Sequence, residues 1–223
     1  MRRWMLGAAA TLAVIVWSVS DYMRWRALGV GGLPPTMWGW LRVTHMRIRA
    51  GDPFSVRTDG VAHPEIAALP ARSSPRPAIA PHPVPHRVLD QHASADLVLD
   101  LEGVFDDFIA TADSSIEYRT SSWERHNKAL FLTASPRWRE GARLEFGHFH
   151  PSDGSMHVIL SPADAAIVVE RSWGELHPLA GKMLDLPATY TLLYPPRDRD
   201  DLTVVRTILQ AALVATAERS AVA

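Results

Sequence analysis

The sequence predicts an α+β domain, in which an antiparallel sheet of about five strands is packed by helices, behind an N-terminal transmembrane or membrane-anchoring helix. Three observations support this prediction: short apolar or alternating runs separated by turn residues, helical segments with apolar positions three and four apart, and an apolar stretch close to Met1. The chain of 223 residues exceeds the usual length of one domain. We therefore expect one principal domain with accessory segments.

Strands and helices of the principal domain follow from local patterns. Five runs have strand character, at 115–120, 129–134, 144–150, 155–160 and 188–195. Ser94 can cap a first helix with an apolar face. Ser161 can cap a second, with Pro162 at its first position and Gly174 able to end it. A last helix is expected after Asp198, and helices on an antiparallel sheet give the α+β class.

Residues 1–25 predict a membrane anchor. The apolar run from Trp4 to about Val19 has about 16 residues, or roughly 24 Å of helix, which is short for a full span. Five of the eight tryptophans suit an interfacial belt: Trp4, Trp17, Trp25, Trp38 and Trp40. Arginines are more numerous after the run than before it, so we expect a cytoplasmic C-terminal domain. A signal peptide cleaved after Ser18-x-Ser20 is the alternative.

Two accessory segments precede the principal domain, which is assigned to residues 94–217. Residues 26–60 contain apolar and arginine residues interleaved from Met37 to Ile48, which suits a helix lying in the headgroup layer or one that packs on the domain. Residues 61–93 form a connector with seven prolines between Pro64 and Pro85. Such a segment is extended, either as a stiff spacer or as a strap along the domain.

Composition excludes several classes of function. Lys+Arg total 23 against Asp+Glu 24, and no basic block lies outside the N-terminal region, so nucleic acid is not expected as a partner. The absence of cysteine excludes disulfides, thiolate metal sites and a cysteine nucleophile. No phosphate-binding loop, Gly-x-Ser-x-Gly elbow or dinucleotide fingerprint is present in the sequence.

Three histidines lie within ten residues of one predicted hairpin. His148 and His150 share a strand face because side chains alternate along a strand. If residues 151–154 form a four-residue loop, His157 lies opposite His148. Glu145 would point to the other face unless a bulge, which Gly147 could permit, turns it over. A cluster of three imidazoles is therefore expected.

The histidine cluster fits three interpretations. Neutral imidazoles can bind zinc or iron with an open coordination position, or act as a base near neutral pH. They can also satisfy one another's hydrogen bonds in a packed sheet. His177, in a loop bracketed by Gly174 and Gly181, is a fourth candidate. His126 and Arg197 are further candidates that fit solvated strand ends equally well.

Four motifs, occurring in order, resemble the fungal luciferases of mushroom bioluminescence, which are membrane-associated enzymes, and their bacterial homologues. They are Ser122 to His126-x-Lys128-Ala129-x-Phe131-Leu132, Glu145-x-x-His148-x-His150 with His157, Trp173-Gly174-x-x-His177-Pro178-Leu179-Ala180-Gly181, and Leu193-Tyr194-x-Pro196-Arg197. The segment 136–143 looks shorter than its fungal counterpart, and the connector is richer in proline. Both differences are expected to reshape the substrate entrance.

The resemblance implies a luciferase-like oxygenase that uses O2 as co-substrate and no cofactor. Its substrate would be a hydroxylated hispidin or a related enolic α-pyrone, which adds O2, forms a cyclic peroxide and loses CO2, with or without light. The catalytic residues implied are Glu145, His148, His150, His157 and His177, and the substrate-binding residues are His126, Lys128, Phe146, Trp173, Tyr194 and Arg197.

Our mechanistic hypothesis is that one histidine deprotonates the enol while an imidazolium or Arg197 stabilises the oxyanion and apolar neighbours exclude water. A metal enzyme using His148, His150 and His157, and a membrane-tethered binding protein without turnover, are the alternatives.

Overall fold

The computed structural model describes residues 2–111, 114–133 and 144–221. The segment 136–143, expected to be shortened, lies outside these ranges. Six helices lie within them: α1 (Arg2–Ala27), α2 (Met37–Arg47), α3 (Pro64–Ala67), α4 (Ala95–Thr111), α5 (Pro162–Glu170) and α6 (Arg199–Ala221). Six strands accompany them: β1 (Ile116–Thr120), β2 (Lys128–Leu132), β3 (Glu145–Phe149), β4 (Met156–Ile159), β5 (Gly174–Leu176) and β6 (Tyr190–Leu193).

The strands form one sheet in the order β1-β2-β3-β4-β6-β5. Every neighbouring pair is antiparallel, so the predicted α+β class is confirmed. The five expected strands are present. The sixth, β5, has only three residues and shows too little alternation to be recognised from the sequence.

One face of the sheet packs against helices. α6 lies on β3 and β4 and also contacts α4. The apolar stripe of α4 is buried with that of α6 in a core that includes Phe105, Phe108, Ile208 and Leu209. α5 begins as expected, because the Ser161 hydroxyl accepts a hydrogen bond from a backbone amide of the first turn.

The proline-rich connector contacts both faces of the sheet: Ile66 and Leu69, near its start, join the core on the helix face, and its last part lies on the opposite face. Its last part, residues 79–88, is termed the strap. The strap is closed by an antiparallel bridge between Ile79 and Val88 and by a hydrogen bond from the Ala80 amide to the Arg87 carbonyl. Residues 82–88 are all buried. The spacer interpretation is therefore wrong, because burial of these side chains holds the segment against the domain.

The N-terminal helices are tied to the strap. Asp21 of α1 accepts hydrogen bonds from Trp40 Nε1 at 2.9 Å and from His82 Nε2 at 3.1 Å, and Trp25 Nε1 donates to the Val84 carbonyl at 2.8 Å. The inner side of α2, which includes Val43, is buried in the same cluster. Of the two interpretations of this segment, packing on the domain is the one observed.

Among the described helices, none has both the length and the apolar character that crossing a membrane requires. The predicted transmembrane helix is corrected accordingly. α1 does form over the expected segment, but its apolar run is followed within the same helix by Asp21, Arg24 and Arg26.

Candidate functional site

The predicted hairpin brings the three histidines together. The His150 amide donates to the Ser155 carbonyl at 2.8 Å across the loop, and the register pairs His148 with His157, as expected. The ring centroids of His148 and His157 are 5.3 Å apart, and those of His150 and His157 are 5.0 Å apart. All three side chains are buried.

A bulge in β3 brings Glu145 to the histidine face. Glu145 pairs with Phe131 of β2, whereas Gly147 pairs with the adjacent Leu130, so Phe146 has no partner of its own. Because of this interruption, the β3 side chains on its two sides no longer alternate between the faces of the sheet as they would in a regular strand. The Glu145 carboxylate consequently lies 2.8 Å from His148 Nδ1. A bulge was the condition under which Glu145 was expected to reach the histidine face.

Glu145 fixes the tautomer of His148. Its carboxylate accepts hydrogen bonds from the Ser121 hydroxyl at 2.9 Å, the Ser122 amide at 2.7 Å and His148 Nδ1 at 2.8 Å. Because a carboxylate accepts, a His148 ring that carries one proton carries it on Nδ1. His148 Nε2 then carries a lone pair, and this buried nitrogen has no hydrogen-bond partner.

His150 differs from His148 because both of its nitrogens have partners. Nδ1 donates to the Ser155 hydroxyl at 2.7 Å, and that hydroxyl donates to Asp153 at 2.6 Å. Nε2 accepts from the Arg87 guanidinium at 2.8 Å. Burial lowers the pKa of His150 to about 4, and the adjacent Arg87 charge acts in the same direction. His150 is therefore a neutral ring that holds the hairpin and the strap together.

Arg87 and Glu124 form a buried, two-pronged ion pair beside His150. Nη1 and Nη2 of Arg87 lie 2.8 and 3.0 Å from the two carboxylate oxygens of Glu124. Burial opposes ionisation of Glu124, but the charge and the two hydrogen bonds of Arg87 hold its pKa well below the ordinary value. The carboxylate is thus charged and paired, and the pair links the strap to the loop before β2.

His157 has one partnered and one unpartnered nitrogen. Nε2 lies 3.4 Å from His86 Nδ1 in the strap, whereas the buried Nδ1 has no hydrogen-bond partner. The ring stacks on Tyr190, with centroids 4.6 Å apart and planes 5° from parallel. Burial, followed by the neighbouring imidazoles, lowers the pKa of His157 well below the ordinary value.

His177 joins the cluster from the loop after β5. Its Nδ1 accepts from the Leu179 amide at 3.1 Å, and it also bonds the Pro83 backbone in the strap. Its ring packs edge-on against His86, with centroids 4.8 Å apart. Burial and the nearby His86 lower the pKa of His177 well below the ordinary value. His177 therefore contributes a satisfied, neutral ring.

A cavity of about 380 Å³ opens beside the cluster. Its floor includes His86, His157, His177, Tyr190 and Glu124. Four segments form the remaining wall: the α1–α2 connection, the strap, the loop before β2 and the loop before β6. In that order they contribute Gly31, Gly32 and Leu33; Pro83, Val84 and Pro85; Ser122, Trp123 and Arg125; and Leu184, Asp185 and Leu186. Its volume is in the range of small-molecule sites. His148 and His150 do not line it and are buried beneath His157.

The six residues expected to bind substrate do not line this cavity in the described part of the chain. Phe146 and Trp173 belong to the apolar core on the helix face, and Trp173 Nε1 donates to the Pro70 carbonyl. His126, Lys128 and Arg197 are exposed. Tyr194 is buried one step behind the cavity, where its hydroxyl donates to Glu175 at 2.8 Å.

Several site residues escaped the sequence interpretation. His86 and Arg87 lie in the proline-rich connector, where composition suggested a spacer. Glu124 and Glu175 fall at unspecified positions within two of the family motifs, and Tyr190 lies on a predicted strand. For the two connector residues, the available signal is that His86 and Arg87 are adjacent and directly follow the prolines. A solvated spacer has no need for an imidazole beside a guanidinium.

The cluster could hold a metal ion. One ligand atom from each of Glu124, His148, His150 and His157 lies within 4.8 Å of the others. Ligand atoms around tetrahedral zinc are about 3.4 Å apart, so the group would have to contract. Arg87 already contacts both Glu124 and His150. A cation would therefore have to displace the guanidinium, and only His148 and His157 offer free nitrogens as they stand.

Comparisons with known proteins bear on the motifs. Residues 143–212 match the family model described as Luciferase domain. The chain is 29% identical to a luciferase of Neonothopanus nambi over 66% of this chain and 61% of that protein, so it spans about three-fifths of that relative. It is 26% identical to a luciferase of Armillaria mellea over 92% of this chain and 84% of that protein. No solved structure matches the chain.

Proposed function

The chain is similar to the fungal luciferases and matches the Luciferase domain model over residues 143–212, as the motifs indicated, and on that basis we propose that it is a luciferase-like oxygenase. Its substrate would be an enolic α-pyrone of the hydroxylated hispidin type, with O2 as co-substrate and no resident cofactor. The observation that supports this proposal most is the unpartnered nitrogen of His157, a residue that lines the cavity.

His157 is the proposed base. The enol O–H of the pyrone transfers its proton to His157 Nδ1, which leaves an electron-rich enolate. The enolate gives electrons to O2 far more readily than the enol does, so C–O bond formation follows. The peroxide oxygen then attacks the lactone carbonyl, and loss of CO2 with O–O cleavage gives the oxidised product. All oxidising equivalents come from O2.

The lowered pKa of His157 affects this step in two ways. At neutral pH the ring is unprotonated and can accept a proton, because burial disfavours its charged form. The same burial makes it a weak base, so the proton has to come from an acidic group. An enolic α-pyrone meets that requirement better than an alcohol or an amide does.

Arg125 is the proposed cation for the developing oxyanion. Arg125 and Arg197 are both exposed, but Arg125 lines the cavity, whereas Arg197 lies beyond the end of β6 and does not. Arg87 is nearer to the imidazoles, but its charge is taken up by Glu124. Trp123, Leu186 and Tyr190 provide the apolar wall that would limit water at the reacting carbon.

The test is oxygen uptake and light emission by the purified full-length chain with hydroxylated hispidin in air. Consumption of one O2 per pyrone with release of CO2 supports the proposal, and light specifies the luciferase outcome. His157→Gln should abolish both signals, while His92→Gln, which changes a histidine outside the cluster, should retain them. Binding of the pyrone without any O2 consumption would instead indicate a binding protein without turnover.

A metal enzyme is the second candidate, because four potential ligand atoms converge at the cluster. Metal analysis of protein purified without a histidine tag distinguishes the two. Close to one equivalent of zinc or iron, with activity lost to a chelator and restored by the ion, would favour the metal enzyme. Full activity of metal-free protein would exclude it.

A further inference from the structure

His86 occupies a singular position in the strap. It is the buried residue that directly follows Pro85, and its ring packs against both His157 and His177, with centroids 5.6 and 4.8 Å away. It lines the cavity together with both. The strap thus inserts an imidazole into a cluster otherwise supplied by the sheet and by the loop after β5.

A chain of hydrogen bonds runs through His86. The Tyr194 hydroxyl donates to one oxygen of Glu175 at 2.8 Å, and the other oxygen lies 3.4 Å from His86 Nε2. On the far side of the ring, His86 Nδ1 lies 3.4 Å from His157 Nε2. Both of the 3.4 Å contacts are long and leave room to shorten when the cavity is filled.

The donors and acceptors along this series of hydrogen bonds determine the tautomers of His86 and His157. Because the Glu175 carboxylate accepts, a His86 ring that carries one proton carries it on Nε2 and has a lone pair on Nδ1. A hydrogen bond between His86 Nδ1 and His157 Nε2 then places the proton of His157 on Nε2. His157 Nδ1 is then left unprotonated, and this is the nitrogen that has no partner in the structure.

We propose that His86 is the positioning residue of the site: held by Glu175, it keeps the proton of His157 on Nε2 and thereby leaves Nδ1 as the free basic nitrogen. The consequence for turnover rests on the proposed function, whereas the tautomer assignment does not. Glu145 plays the corresponding part for His148, so two glutamates each direct one unpartnered imidazole nitrogen.

The arrangement also explains why the strap is required. The sheet alone brings His157 opposite His148, but it offers His157 Nε2 no acceptor among the described residues. Without one, the neutral ring of His157 could place its proton on either nitrogen, and the fraction with a free Nδ1 would fall. Orienting partners of this kind affect histidine function by about 10- to 100-fold where they have been removed from metal-ligating imidazoles.

Two substitutions of His86 separate positioning from mere packing. His86→Gln has an amide N–H that can donate to Glu175 and a carbonyl oxygen that can accept from His157 Nε2, so it retains both hydrogen bonds. His86→Phe keeps a planar ring against His177 but has neither group. His92→Phe is the control, since His92 is an exposed histidine of the same connector that bonds only the Val88 carbonyl. Circular dichroism and a urea midpoint verify the fold of each variant.

The first measurement is ¹⁵N NMR of the imidazole nitrogens in the full-length chain without substrate. We expect His157 to be protonated on Nε2 in the native protein, in His86→Gln and in His92→Phe. In His86→Phe the His157 signals should move toward a mixture of tautomers. A His157 ring protonated on Nδ1 in the native protein, or one unaffected by His86→Phe, would overturn the proposal.

The second measurement is steady-state oxygen uptake with hydroxylated hispidin. His86→Phe should lower kcat at least 10-fold with KM changed by less than 3-fold, and His86→Gln should restore kcat to within 3-fold of the native value. Equal loss in both variants would mean that the imidazole itself is required and would contradict positioning. If the native chain consumes no oxygen, the proposed function fails and the NMR result alone decides the role of His86.

Discussion

The two faces of the β-sheet are buried to a similar extent but have different surroundings. Met156 and Val158 point into the core beneath α4 and α6, while His157, between them in the sequence, points under the strap. The apolar face has its partners in other apolar side chains. The histidine face retains two buried nitrogens without partners, on His148 and His157. Burial alone therefore does not distinguish the two faces, whereas the unpartnered imidazole nitrogens do.

The two kinds of surroundings have opposite effects on the free energy of unfolding. Burial of apolar side chains stabilises the fold, by about 25 cal/mol for each Å² removed from water. A buried polar group left without a hydrogen bond costs about 1–3 kcal/mol. We infer that the helix face provides the stability that allows the histidine face to keep unpartnered nitrogens ready for a ligand.

The largest expected effect is that of His157→Phe. A phenyl ring can preserve the stack on Tyr190 but removes the base, so oxygen uptake should fall about 10²- to 10⁴-fold. Thermal stability should change little, because one unpartnered nitrogen is removed while His86 Nδ1 loses its partner. Steady-state kinetics and thermal unfolding of the same preparation measure both. A strong loss of stability with retained activity would show that His157 supports the fold and is not the base.

Phe146→Ala tests the other face. Phe146 is fully buried and packs near Phe108 in the core, with ring centroids 6.4 Å apart. We expect the free energy of unfolding to fall by about 3–5 kcal/mol, measured by urea denaturation. The KM of the folded fraction should not change. A rise in KM without loss of stability would support the assignment of Phe146 to substrate binding that the family resemblance implied.

Phe146 also illustrates what the sequence could predict. The hairpin, the register of His148 with His157 and the strands were accessible, because they depend on local alternation and loop length. The family resemblance implied a place for Phe146 at the site, and in a regular strand Phe146 would indeed share a face with His148. The bulge reverses this, sending Phe146 into the core and Glu145 to the histidines. Gly147 made a bulge conceivable but did not locate it.

The contribution of the connector was not accessible from the sequence. Prolines specify extended backbone but not what that backbone packs against. The contacts of His86 with His157 and of His82 with Asp21 join residues that are 71 and 61 positions apart. Pairing over such separations leaves no periodic signal, so the strap and the tautomer that it supports could be recognised only from the fold.

A smaller effect is expected from pH. His150 has a pKa of about 4 in the fold against an ordinary value of 6.5, so between these values the unfolded chain holds a proton that the folded chain lacks. Stability should therefore fall as the pH is lowered from about 6.5 to about 4, by about 1.4 kcal/mol per pH unit for each such group. His157 and His177, whose pKa values are also lowered, act in the same direction.

Urea midpoints at pH 7, 6 and 5 measure this slope, and variants assign it to one face of the sheet. His150→Phe should flatten the dependence by about one proton, because the titrating group is gone. Phe146→Ala should lower stability equally at each pH and leave the slope unchanged. A slope unaffected by His150→Phe would mean that the buried imidazoles do not remain neutral in the folded chain.

The smallest effect is expected from Arg197→Ala. The Arg197 backbone amide donates to Asp201 at the start of α6, but its side chain is exposed and does not line the cavity. Exposed substitutions usually have little effect, so kcat and KM should stay within about twofold of the native values. Arg125→Ala, which removes a side chain that does line the cavity, should lower kcat/KM by about 10-fold through loss of the oxyanion partner. The opposite ranking would mean that the fungal motif locates the functional cation better than the cavity does, and the substrate would then have to bind near the end of β6.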